Sequence, residues 1–349
     1  MDRIDSIKPA DRKYAELAQE HWNSVAKPLR SFGQLEDMWN SIAAVQRTDK
    51  PDILKRAVVV MCADNGVVAE GVTQSDNTVT ALCAKDIACG SSNINVLADI
   101  YHADVLTVDI GMARDVDCEG ILDRKVAYGT GNIAVGAAMT YEQAVQSIQT
   151  GMDIVRDLSE KGVKLVVTGE MGIGNTTPTA ALASVLLGLP PETVTGRGAG
   201  LSGKGLERKI AAVERAIKVN SPYSGDPIEL LAKLGSFEIG GMTGLFLGGA
   251  VYGLNVVIDG VISAASAVLA SMISPFSVQY MLAGHVSAEP SGRGLIDKLG
   301  LHAIIDGRLR LGEGTGGILL LPLLDGAAAI YYNSHRFDGS GIERYVELK

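Results

Sequence analysis

Over the first fifty residues apolar positions recur every three or four: Tyr14, Leu17, Ala18, Trp22 and Val25, then Leu35, Met38, Trp39 and Ile42. This spacing lines one face of a helix, so residues 11–46 read as two amphipathic helices broken near Lys27 and Pro28. Trp22 and Trp39 fall on the packing face. From Arg56 the period changes. Residues 57–64 (AVVVMCAD), 105–111 (VLTVDIG), 164–168 (KLVVT), 255–260 (NVVIDG) and 278–285 (VQYMLAGH) are short apolar runs, suited to buried strands. Helical patterns at 141–159, 205–219 and 261–272 lie between them. Strands alternating with helices predict an α/β fold: a mostly parallel sheet with helices on both faces and ligands at the carboxyl ends of the strands. Those ends are polar or glycine-rich: Asp64-Asn65-Gly66, Asp109-Ile110-Gly111, Thr168-Gly169-Glu170, Asp259-Gly260 and Gly284-His285. They point to one shared site.

Residues 240–257 (GGMTGLFLGGAVYGLNVV) are the one run with membrane-like hydropathy. Their glycines, and Asp259 just beyond, fit a buried helix feeding a strand better than a bilayer span. Residues 318–332 are apolar enough for a core helix. The expectation is a small helical lobe of residues 1–50 and 318–349 packed together, beside a large α/β domain of residues 51–317.

Composition narrows the picture. With 349 residues and 47% hydrophobic content there is ample core material, so no metal or disulfide staple is required. The net charge of −9 and the lack of a basic run disfavour a nucleic-acid partner. An anionic ligand must then be held by local N–H groups and one or two cations. Cys62, Cys83, Cys89 and Cys118 have no zinc or CxxC spacing and read as buried or half-buried free thiols. No apolar signal core opens the chain, so the expectation is a cytoplasmic protein with no membrane partner.

Residues 164–187 (KLVVTGEMGIGNTTPTAALASVLL) read as strand, glycine turn and helix. Gly169, Gly172 and Gly174 let the backbone turn and approach a ligand. Asn175, Thr176 or Thr177 supplies the N-cap, Pro178 suits the first turn, and the helix runs over 179–187 to Gly188. Such a helix start is an anion site, and a phosphate is the simplest ligand. Glu170 would repel that phosphate unless it addresses another part of the ligand. No Lys follows Gly174, which excludes a P-loop, and the dinucleotide fingerprint fits poorly.

Residues 311–317 (LGEGTGG) have the same build before another helix. Gly312, Gly314, Gly316 and Gly317 leave Glu313 open to close approach, where a partly dehydrated carboxylate would serve as a general base. Capping of its own helix is an equal alternative. In the third loop, 195–200 (TGRGAG), and the helix after it, Lys209 neutralises a phosphate, pairs with a loop carboxylate or is simply solvated. In the fourth, 285–290 (HVSAEP), Ser287 offers a hydroxyl to an anion, and His285 fits a hydrogen-bonded structural residue.

Together GEMGIGNTTPTAAL, GRGAG, the Lys209 helix, SFEIGGMTG (236–244), IDGVISAA (258–265), HVSAEP and RLGEGTGG (310–317) resemble the nicotinate-nucleotide:dimethylbenzimidazole phosphoribosyltransferase (CobT) family, in order from about residue 57 to 330. The resemblance implies a Rossmann-like sheet, a small helical lobe, a homodimer or a heterodimer with a paralogue, and no metal or organic cofactor. It implies small-molecule substrates: the 5-phosphoribosyl group passes from nicotinate mononucleotide to a cobamide lower-ligand base, a benzimidazole, purine or phenol. By resemblance Glu313 is the catalytic base. Glu170, Met171, Gly172, Ile173, Gly174, Asn175, Thr176, Gly198, Lys209, Ser287, Leu311, Gly312, Gly314 and Thr315 bind substrate, and residues 73–89 face the acceptor. The chain departs from the family pattern at Asn65, where the family writes His, and after Pro290. An alternative within the resemblance is a poorly active partner subunit of a heterodimeric enzyme with a phenolic acceptor.

Overall fold

The computed structural model describes residues 3–338 and 340–346. Six strands form one sheet: β1 (Arg56–Ala63), β2 (Asp104–Gly111), β3 (Ile121–Asp123), β4 (Leu165–Met171), β5 (Asn255–Ile258) and β6 (Met281–Ala283). The order is β3-β2-β1-β4-β5-β6 and every pairing is parallel. Strands that follow β1 in the chain go to one side of it until β4 switches to the other. A crevice opens at such a switch point, outside the carboxyl ends of the strands.

The helices are α1 (Arg12–Ser24), α2 (Gln34–Gln46), α3 (Thr78–Ala88), α4 (Asn93–Ile100), α5 (Tyr141–Glu160), α6 (Thr176–Leu187) and α7 (Pro191–Val194), then α8 (Gly203–Asn220), α9 (Pro227–Leu234), α10 (Phe237–Tyr252), α11 (Val261–Ile273), α12 (Gly292–Lys298) and α13 (Leu320–Asn333). Strand alternation splits β1 between two cores. Val59, Met61 and Ala63 pack with Ile148 and Val155 of α5, Leu245 of α10 and Val268 of α11. Val58, Val60 and Cys62 pack on the opposite face with α1, α2, α3, α4 and α13. Helices therefore cover both faces, as the alternation of elements requires.

Trp22, Trp39 and Tyr331 meet in one aromatic cluster, with Tyr331 5.0 Å from Trp22 and 5.8 Å from Trp39 between ring centroids. Arg56 at the start of β1 makes a bidentate pair with Asp325 of α13, at 2.6 and 2.9 Å. The terminal helices thus pack together and share a core with the sheet. Of the residues expected in the helical lobe, 1–2, 339 and 347–349 lie outside the described residues.

The membrane-like run is a buried helix, α10, followed directly by β5. Its glycines have a packing cause. A Cβ at Gly244 would collide with the Ile148 carbonyl oxygen of α5, so the two helices cross backbone against backbone. Among the described residues no helix is long and apolar enough to cross a membrane.

Three sequence expectations need correction. The strand expected over 278–285 is strand only at Met281–Ala283, because residues 275–280 coil into a 3-10 turn after Pro275. The three-residue edge strand β3 was not expected; it is too short to show a period. The strand expected to stop at Thr168 continues to Met171, paired with β1 through Gly169 and Glu170.

Candidate active site

At the carboxyl ends of the strands lies an open cleft lined by polar and glycine-rich segments. Five segments build it: residues 170–176, 197–201, 259–262, 285–289 and 309–316, with 72–74 at the rim. Of the expected binding residues it is lined by Glu170, Met171, Gly172, Ile173, Gly174, Asn175, Thr176, Gly198, Ser287, Leu311, Gly312 and Thr315. Lys209, Glu313 and Gly314 stand just behind that lining.

The turn after β4 is tighter than its glycines suggest. Only Gly174 has positive φ, +87°. Gly169 stays in the strand, and its missing side chain serves close approach: a Cβ there would lie 2.6 Å from the Glu313 carbonyl oxygen. The two glycine loops, 143 positions apart in Glu170 and Glu313, touch directly, with the Glu313 amide donating to the Glu170 carbonyl at 3.2 Å. α6 starts at Thr176 with Asn175, one of the expected caps, at the N-cap position, but Asn175 makes no side-chain cap bond. Its amide group instead donates to the Glu170 carboxyl. One turn amide is already satisfied, since Ile173 N donates to Thr80 Oγ1 of α3 at 3.1 Å.

Lys209 is fully buried, so it is not a solvated helix lysine. Its Nζ reaches from α8 to Thr176 Oγ1 at 2.7 Å and the Gly196 carbonyl at 3.1 Å, placing a cation beside the first residue of α6. Burial pushes its pKa down to about 8, with Glu289 pulling the other way. Glu289 also accepts from Gly198 N at 3.1 Å, which fixes the third loop.

Glu313 sits at φ +61°, in the left-handed region, between Gly312 at +91° and Gly314 at +90°. Its carboxyl does not cap its own helix. It faces the Ile94 amide and the Asn93 side chain at the start of α4, and its Oε2 has no hydrogen-bond partner among the described residues. Burial raises its pKa, the nearby Ile94 and Asn93 donors lower it, and Asp259 and Asp86 raise it further; the net shift is upward. Glu170 is raised to about 8, chiefly by burial, against the Asn175 bond and with Asp259, Glu238 and Glu313 nearby.

Asp259, after β5, organises the second loop by accepting from Gly316 N at 2.8 Å and Gly317 N at 2.7 Å. His285 Nε2 lies 3.6 Å from Asp259 Oδ1, at ion-pair reach. Burial opposes a charge on that imidazole, but Asp259 outweighs it and the pKa rises. Sequence reasoning placed Asp259 at a strand end without a role, and it gave Glu289, Thr80 and Glu238 no individual role within the motifs that contain them. Strand-end polarity was the available signal for the first; nothing local marks the others. Cys89 is exposed, contrary to expectation, and its sulfur lies 3.9 Å from that of Cys118.

The phosphoribosyltransferase family profile matches residues 7–342. The chain belongs to the nicotinate-nucleotide–dimethylbenzimidazole phosphoribosyltransferase family. A relative of that name from Ruminiclostridium cellulolyticum is 42% identical over 348 residues, covering 100% of this chain and 99% of its own. Another, from Acetivibrio thermocellus, is 41% identical over 98% of this chain and 97% of its own. The crystal structure of CobT from Thermus thermophilus superposes with a TM-score of 0.90 at 39% identity, covering 95% of this chain and all of that one. The chain is thus a pentosyltransferase, and its cleft is to be read as that of a phosphoribosyltransferase.

Proposed function

We propose that this enzyme transfers the 5-phosphoribosyl group from nicotinate mononucleotide to 5,6-dimethylbenzimidazole or a related benzimidazole, purine or phenol, in assembly of the cobalamin nucleotide loop. One observation carries the reading. Two turns from distant parts of the chain meet at one cleft, one at a helix start backed by buried Lys209, the other holding a buried carboxyl. The first suits a sugar phosphate, through helix amides and a charge-assisted contact. Nicotinate leaves as a neutral pyridine once its bond to C1′ breaks, so the leaving group needs no acid. The acceptor must lose its N–H proton, or a phenol its O–H proton, as its nitrogen or oxygen bonds to C1′, and Glu313 takes it. A carboxyl with a raised pKa and an unpartnered oxygen fits a general base.

The acceptor lies toward α3 and α4, where Cys83, Asn93 and Ile94 face Glu313. The enzyme works as a homodimer; Leu82 on α3 with Val96 and Ile100 on α4, large apolar side chains left exposed, support that surface as the contact. The deciding experiment is Glu313→Gln, assayed with nicotinate mononucleotide and a panel of acceptors, products identified by mass. A loss of kcat of roughly 10²–10⁴-fold with nearly unchanged donor KM is expected. An undiminished rate removes Glu313 from the chemistry. An inactive wild-type chain with every acceptor removes the reaction itself.

A further inference from the structure

Behind the glycine turn after β4 lies a glutamate that the proposed chemistry does not use. Glu238, the second residue of α10, is completely buried, and its Oε1 accepts from Asn65 Nδ2 at 3.0 Å. The pair presses on the turn: a Cβ at Gly172 would lie 2.8 Å from Glu238 Oε1 and 3.2 Å from Asn65 Nδ2. Asn65 also backs Gly174, with its Cβ 3.9 Å from the Cβ position there. On the cleft side the turn is clamped by a second Glu–Asn pair, Glu170 with Asn175. Neither Glu238 nor Asn65 lines the cleft itself.

A purely structural role does not call for a carboxyl at this place. Glu238 Oε2 and Asn65 Oδ1 have no hydrogen-bond partner among the described residues. A buried polar atom left in that state costs about 1–3 kcal/mol, which an apolar side chain of similar volume avoids. The titratable groups whose charge bears on Glu238, or on which its charge bears, are themselves acids or a thiol: Asp64 after β1, Glu170 on β4 and Cys62 in β1. Burial raises the pKa of Glu238 to about 7, against the bond from Asn65 and with Asp64 adding to the rise.

We propose that Glu238, acting through Asn65, is a positioning residue that sets the Gly172–Gly174 turn for the phosphate of the donor. This rests on reading the cleft as a phosphoribosyl site. The turn then has the same partner geometry on both sides, and its amides stay aimed whether or not a ligand is bound.

The test is steady-state kinetics on the full chain with nicotinate mononucleotide as varied substrate. Glu238→Leu and Asn65→Ala are each expected to raise donor KM about tenfold, equivalent to ~1.4 kcal/mol, with kcat and acceptor KM nearly unchanged. Glu238→Gln keeps the acceptor oxygen for Asn65 without a charge and is expected to restore wild-type donor KM. Wild-type donor KM in Glu238→Leu overturns the inference, as does a Gln variant impaired like Leu. Where Glu238→Leu does not fold, Asn65→Ala and Glu238→Gln decide alone. A wild-type chain that turns over no acceptor defeats the proposed function instead, so the two failures are distinguishable.

Discussion

Single side chains in this cleft are held in protonation states that cost stability. Lys209 is the clearest case. Its folded pKa, about 8, lies below the ordinary lysine value of 10.5, so between those values the folded chain binds fewer protons than the unfolded one. Stability therefore rises with pH across that window, and the full penalty is present below 8. Lys209→Met should raise Tm at pH 7, with the gap to wild type closing toward pH 10; thermal melts at both pH values check it. At ~1.4 kcal/mol per pKa unit the gain is a few kcal/mol at most, reduced by the bonds lost to Thr176 and Gly196. The same variant should bind nicotinate mononucleotide at least about tenfold more weakly, as loss of a charge-assisted contact implies. Glu170 has the opposite sign. Raised to about 8, it holds its proton more tightly when folded, so its contribution to stability is full below about 4.5 and is lost as pH rises through 8.

At the scale of elements, close backbone approach explains what hydrophobicity alone misreads. α10 looks like a membrane span because it is mostly apolar, and the sheet, α5 and α11 bury it from Phe237 to Ala250. Its crossing with α5 admits no side chain at Gly244 or at Gly151, where a Cβ would run into the Gly241 carbonyl. Gly244→Ala is expected to cost at least about 2 kcal/mol by forcing the helices apart, in spite of alanine's better helix propensity. Urea unfolding that finds the variant as stable as wild type would show that the crossing relaxes freely. Gly169 makes the same kind of contact at the site, and so couples the end of β4 to the loop of Glu313.

For the whole molecule, the sheet order sets the cleft at the switch from β1 to β4, and the terminal helices close the face behind it. Leu82 on α3 and Val96 and Ile100 on α4 are large apolar side chains left exposed. Leu82→Glu combined with Val96→Glu should convert the proposed dimer, near twice 36.6 kDa, into a monomer, read by light scattering; a wild-type chain already monomeric would overturn the dimer itself. Much of this architecture was legible beforehand. Apolar periodicity determined the alternation of strands and helices, the glycine loops at their ends and the two glutamates within them, because each depends on residues a few positions apart. Where Gly169 continues a strand, why Lys209 is buried, that Asn175 bonds Glu170 rather than capping α6, and that Glu238 stands behind the turn were decided only in three dimensions. Those facts depend on which backbone atoms arrive from distant parts of the chain, and local spacing carries no record of them.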